Sequence, residues 1–435
     1  MHPLFEYLAG RDLNPRNAAS RIMRWNSRAL FRFLTDTQEI VRTSWSAAKS
    51  PFSFLANSQL SGGIHPCAAP ECRLRHADRL GRFAVLYGDQ VTIQNPLPDG
   101  VGGSSLDWNR MAVTGSLLVL WYLKPLIDAG LVAITNPAIH FCEHHLPALV
   151  KSGKMDQLGE ELERQYTEGV SVSVAHPRGS YAVSGPASLL EHPTVFSFPL
   201  RGKEWRAVRS GSPDGTARVS DGARRRVVRS IIFPILRDML HQHVLGAWYD
   251  LRYLTDRDVD FLALRHTTDP GLQELSRALA EGLAHSVPTL DQLPLRDLLR
   301  LRRDEGAVFA VYRDAVARVL REIQPTDAGR VRQAFQDVVL PELNKIDALV
   351  VNEQGRLRRS ATLDLLVGAA AVGVGLFSGL LAPEGGRLLA ELGGGALAGR
   401  GIRRLLALPT EPEDKVRDRA YYFLWKARAE ARLPR

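Results

Sequence analysis

Apolar and polar positions follow two regimes along the chain. Up to about residue 200, short apolar runs alternate with amphipathic stretches; from residue 227 onward the spacing is almost entirely helical. Residues 1–50 have a helical pattern. Ile22, Ala29 and Phe33 lie on one part of that helix, while Arg21, Arg24, Arg28 and Arg32 recur every three or four positions and form a basic face. The pattern then predicts a strand over 52–55 and a helix over 73–87 that aligns Leu74, Leu80, Phe83, Ala84 and Tyr87, with Gly88 where a C-cap belongs. A strand over 91–93 follows. A long apolar helix over 107–129 comes next, bent at Pro125 and stopped by Gly130, and then a strand over 131–135. This β-α-β-α-β order predicts a small parallel sheet with crossover helices. A charged helix over 155–166 precedes β-rich runs at 170–175, 180–183 and 194–198, which read as a hairpin or an edge extension.

Further helices are expected over 227–250, 258–265, 271–286, 295–303, 304–323, 327–351 and 413–432. The expected fold is therefore mixed α+β or α/β: a small N-terminal parallel-sheet domain with a β extension, then a mainly α-helical C-terminal half. The expected divisions are a helical segment (1–50), an α/β domain (51–200), a basic loop or linker (201–230) and a helical domain (231–355). A glycine-rich hairpin with a charged C-terminal helix (356–435) completes the chain.

Residues 365–382 form 18 uncharged positions, and 387–407 return as a second arm after Pro383-Glu384-Gly385-Gly386. Ala371, Gly375 and Gly379, then Gly395 and Gly399, repeat every four residues, a spacing that lets helix backbones approach closely. Eighteen helical residues span about 27 Å, just short of a hydrocarbon core of about 30 Å. Alanine and glycine carry little apolar area, and Glu391 interrupts the second arm. Two readings follow, a tightly packed soluble hairpin and a membrane-inserting one over 365–407.

Charge changes the picture little. The formal net charge is +9, and only 8 of the 56 basic residues are lysine. An arginine habit of this kind fits a high-GC bacterial genome, and it also suits phosphate recognition by guanidinium forks. Nucleic acid is thus a minor expected partner, through the basic loop 201–229 and the Arg21, Arg24, Arg28 and Arg32 face. No apolar leader opens the sequence, so the expected location is the cytoplasm, where thiols stay reduced.

The three cysteines carry the most specific chemical signal. Four residues separate Cys67 from Cys72, and two separate Cys142 from His145. Two close ligand pairs brought together by a fold meet the tetrahedral need of Zn2+. The expected set is Cys67, Cys72, Cys142 and His145, with His76, His144 and His140 as substitutes for the fourth ligand. Three thiolates and an imidazole would close the coordination sphere, so the expected metal is structural. The competing reading makes the cysteines small apolar residues with histidines nearby.

No phosphate-binding loop, nucleophile elbow, His-Glu-x-x-His or dinucleotide fingerprint occurs. The leading expectation is a non-enzymatic bacterial interaction or scaffold protein with a structural zinc site, which assembles with a protein partner or itself, with no small-molecule substrate inferred. Two alternatives stand beside it: a membrane-active effector that uses the 365–407 hairpin, in defence or toxicity, and an enzyme with a metal-proximal site at the carboxyl edge of the α/β sheet. If zinc holds the front domain, protein purified without a chelating resin is expected to carry about one equivalent, and Cys67→Ser or Cys142→Ser to destabilise that domain sharply. Metal analysis returning under about half an equivalent would refute the site.

Overall fold

The computed structural model describes residues 1–48, 50, 52–100, 105–136, 154–176, 180–186, 189–190, 193–197, 220–257, 259–260, 294–322, 337–338, 341–342, 345, 416–417, 419 and 421–431. Most of the expected helices over 258–265 and 327–351, all of that over 271–286, the basic segment 201–219 and the hairpin 365–407 lie outside these residues. By contacts the chain forms two compact units. One comprises Met1–Ala77, Val91–Asp128 and Ala133–Gln273; the other comprises Asp78–Gln90, Ala129–Val132 and Glu274–Arg435.

The N-terminal segment is three helices rather than one: α1 (Pro3–Gly10), α2 (Ala18–Ile22) and α3 (Ser27–Ser44). His2 caps α1 by accepting from the Leu4 amide, with Pro3 at the first position. Asp12 adopts a left-handed φ of 50° and turns the chain. Asn26 caps α3 by accepting from the Ala29 amide at 2.8 Å. Leu30, Phe33, Leu34 and Val41 of α3 are buried, as are Leu4, Phe5 and Leu8 of α1. Arg21 therefore belongs to α2, and Arg24 to the turn.

The parallel sheet is built from β1 (Ser53–Ala56), β2 (Gln90–Gln94) and β3 (Val132–Thr135), joined by α4 (Pro70–Leu86) and α5 (Leu106–Asp128). These match the predicted elements to within a few residues. Helix α5 continues through Pro125. It is the one described helix long and apolar enough to cross a membrane by length and composition. Its Val113, Leu117, Leu120, Leu123 and Leu126 are instead buried in the protein, each contributing about 1.5–3 kcal/mol.

A charged helix, α6 (Lys154–Gly169), leads into β4 (Ser171–His176), β5 (Ser180–Ser184) and β6 (Thr194–Ser197), which form a separate antiparallel sheet in the order β4-β5-β6. Helix α7 (Asp221–Tyr249) starts six residues earlier than the pattern predicts, because Ser220 caps it and Asp221 suits the positive end of its dipole. Arg224, Arg225 and Arg226 are thus helical. Leu158 and Leu162 of α6 share a core with Val228, Ile231, Ile232 and Ile235 of α7.

Residues 252–254 depart most from the expected organisation. They form β7 (Arg252–Leu254), which pairs in parallel with β1, and the sheet order is β3-β2-β1-β7. The sheet is completed by a strand from beyond residue 231, where the pattern is helical. Three residues are too few to show a two-residue period.

In the second compact unit, α8 (Leu295–Asp304), α9 (Gly306–Glu322) and α10 (Tyr422–Ala431) surround an aromatic cluster. Tyr312 lies 6.1 Å from Tyr87 and 5.6 Å from Phe423, centroid to centroid. Arg302 donates to the carbonyls of Ala84, Val85 and Gly88 and so satisfies the C-terminal end of α4.

Arg73 ties the carboxyl edge of the sheet together. This side chain is 1% exposed. Its Nε donates to the Gly62 carbonyl at 2.7 Å, and its guanidinium also reaches the Pro96 and Ala112 carbonyls and Ser116 Oγ. It thereby joins the loops after β1 and β2 to α5. Gly115 makes room: a Cβ there would lie 2.7 Å from the guanidinium. Burial pushes the Arg73 pKa down to about 10, so the group stays charged at neutral pH. Arg73→Met is expected to cost about 3–5 kcal/mol in urea unfolding, because several buried carbonyls lose their donor. Arg73→Lys is expected to recover little, since an ammonium has no planar fork. A loss under about 1 kcal/mol for Arg73→Met would show that water replaces the clamp.

Candidate functional site

From β1 the chain moves to β2 and β3 on one side, and only later returns to place β7 on the other. The reversal puts a topological switch point between the carboxyl ends of β1 and β7. In open α/β sheets, ligands bind at this switch point, where the two adjoining loops diverge.

Both strands end in polar residues. Asn57, Ser58 and Gln59 follow β1; Thr255, Asp256 and Arg257 follow β7. The Asn57 amide nitrogen of the backbone donates to the Leu254 carbonyl at 2.9 Å and extends the ladder. Its side chain donates to Thr255 Oγ1 at 2.7 Å and to Asp256 Oδ1 at 3.3 Å, and accepts from the Leu60 amide at 2.7 Å. One asparagine thus links the two strand ends.

A second layer surrounds Arg257, which is 7% exposed. Its guanidinium pairs with Asp238 at 2.8 Å and Asp260 at 2.9 Å. Burial works against this charge, but the two carboxylates hold its pKa well above the ordinary arginine value. Asp260 also accepts from Tyr253 at 2.6 Å and Thr255 at 2.5 Å. Helix α7 presents Asp238 to the β1 loop, where it accepts from both the amide and the hydroxyl of Ser58, the latter at 2.7 Å. Gln242, one turn on, donates to the other Asp238 oxygen at 3.3 Å. Two acceptor atoms in this layer, Gln242 Oε1 and Asp260 Oδ1, are buried with no hydrogen-bond partner among the described residues.

Helix α4 contributes His76. Its Nδ1 lies 3.1 Å from Asp256 Oδ2, and its Nε2 lies 3.2 Å from Gln59 Nε2. With the Gln59 amide as donor, the imidazole carries its proton on Nδ1, facing Asp256, and its lone pair on Nε2. A carboxylate behind one nitrogen orients the ring as it would a general base, and the other nitrogen is engaged by the Gln59 amide. His65, on the β1–α4 loop, is half-buried near Arg257 and Asp238. Burial, aided by the Arg257 charge, pushes its pKa down to about 4.

The residues expected to hold zinc divide. Cys67 and Cys72 come together: both are free thiols, near enough to influence one another electrostatically. Burial and this neighbour raise the Cys72 pKa, and Arg75 donates to Cys72 Sγ at 3.2 Å. Cys142, His145, His144 and His140 lie outside the described residues. His76 sits one helical turn after Cys72, with its ring directed to Asp256 and Gln59. Among the described residues, no group of three or more histidine, cysteine or acidic side chains converges as metal ligands.

Residues of the switch-point cluster other than His76 carry no local sequence signature. The one available hint was position: Asn57-Ser58-Gln59 directly follow a predicted strand. Comparison with protein-family models, characterised proteins and solved structures gives no match, so geometry alone carries the functional argument.

The His65 environment has a measurable consequence. Its imidazole titrates near 4 when folded and near 6.5 when unfolded, so unfolding takes up a proton between those values. This contribution to stability is present above about pH 6.5 and is lost as pH falls towards 4, by about 3 kcal/mol at most. Urea unfolding of wild type and His65→Gln between these limits is expected to show the steeper loss in wild type. Parallel curves would place the imidazole in solvent.

Proposed function

We propose that the front domain binds a small polar molecule at the switch point between β1 and β7 and acts on it by acid–base chemistry, with His76 as general base and Asp256 as the residue that orients it. The observation that supports this most is the meeting of the Asp256–His76 pair with buried polar side chains from both strand ends at the topological switch point. Three carboxylates and an unpartnered amide oxygen gather at this switch point. Asp238, Asp256, Asp260 and Gln242 Oε1 favour a ligand that brings donors, namely hydroxyls or amines, over a bare anion. In this reading His76 Nε2 takes a proton from a ligand hydroxyl or a water, after the ligand displaces the Gln59 amide, and Asp256 stabilises the resulting imidazolium.

The adjacency of the Cys67 and Cys72 thiols favours a second, compatible reading, a structural zinc site on the loop that carries His65 and leads into α4.

The first reading is tested by a binding screen of sugars, nucleosides and amino compounds, read by melting temperature. At least one class is expected to stabilise the full chain. Asp256→Asn, which keeps the bond from Asn57, and His76→Gln are expected to abolish that response or, for a turned-over ligand, to lower kcat by about 10²–10⁴. A response that survives intact in both variants, or a screen in which only inorganic phosphate and similar anions stabilise, would overturn it.

A further inference from the structure

Between Leu13 and Thr35 the sequence contains five arginines and no acidic residue. The structure separates these arginines by use. Arg21 pairs with Asp12, as Arg11 does with Asp36 and Arg42 with Glu39. Arg24, Arg28 and Arg32 are exposed, and no ion pair engages them among the described residues. Arg28, Arg32 and Thr35 follow helix-neighbour spacing along the outward side of α3, with Phe31 beside them at 57% exposure. Arg24 extends the same cationic run from the turn that joins α2 to α3.

We propose that this surface, carried by Arg24, Arg28, Phe31 and Arg32, binds the phosphate backbone of duplex nucleic acid. Three unpaired guanidinium groups on one short stretch repel one another, and an anion relieves that repulsion. The first turn of α3 holds no acidic residue, so the positive end of the helix dipole adds to the field. A four-residue connection, residues 23–26, joins α2 to α3, the turn length of helix–turn–helix units whose second helix enters the major groove. Guanidinium forks match phosphate oxygens, and an exposed phenyl ring among them offers contact to base or sugar. A membrane surface suits the geometry less well. Interfacial helices insert a broad apolar face, and Leu30, Phe33, Leu34 and Val41 of α3 are already buried in the protein.

Fluorescence anisotropy of the full chain with a labelled DNA duplex of about 20 base pairs tests this between about 50 and 200 mM salt. Affinity is expected to fall with a log–log slope of about −3, roughly one unit for each arginine. Replacing Arg24, Arg28 and Arg32 together by alanine is expected to weaken binding about tenfold or more and to reduce the slope by about 2 to 3. The triple lysine variant keeps the charge and is expected to hold the slope within about one unit. The proposal is overturned if the alanine variant binds like the parent. It fails equally if the alanine and lysine variants lose binding alike, or if the duplex is ignored while phosphatidylserine vesicles capture the parent and release the alanine variant.

Discussion

The parallel pairing of β1 with β7 is the contact on which the rest of the front domain depends. It joins segments 198 residues apart, so the chain closes a very long loop before any of its contacts form. That entropic cost grows only slowly with length, and the return is large. The pairing completes the sheet, carries α7 beside β1, and aligns two polar strand ends side by side. Leu55 meets Leu245 and Leu251 beneath that pairing, which anchors it in apolar contact.

Once β1 and β7 are paired, the carboxyl edge must absorb several buried charges. Asp238, Asp256 and Asp260 come from α7 and the segment after β7, and Arg257 is the cation that meets two of them. A buried group of this kind persists only if its members are hydrogen-bonded. Here Ser58, Thr255, Tyr253, Asn57 and His76 supply those bonds. The network therefore holds the β1 loop in one conformation, with Arg73 fixing the same loop from the other end through the Gly62 carbonyl. The rigidity that satisfies the charges also holds the imidazole of His76 in a defined orientation.

Much of the scaffold was legible because α4, α5 and α7 are long enough for their apolar period to show, and because β1, β2 and β3 stand between clear helices. The helix predicted over 1–50 was misjudged as continuous. Asp12 turns the chain through a left-handed conformation, and Asn26 starts a new helix, both local choices that an apolar period does not report. The early start of α7 escaped for a similar reason, since a serine cap and a run of arginines read as loop. At the site, the closeness of Cys67 and Cys72 follows from their spacing on one loop. By contrast, Asn57 and Asp256 are ordinary polar residues in sequence, and nothing near either one announces the other.

By itself, the sequence determined part of the scaffold: helices such as α4 and α5, the strands β1, β2 and β3, and a parallel sheet with crossovers at the front. Those follow from local periodicity, capping and turn chemistry, each acting over a few residues. The tertiary structure alone decided that residues 252–254 complete the sheet, that His76 faces Asp256, and which arginines stay unpaired. These are long-range outcomes. They arise where burial forces distant polar groups to find one another, and no local pattern encodes the partner.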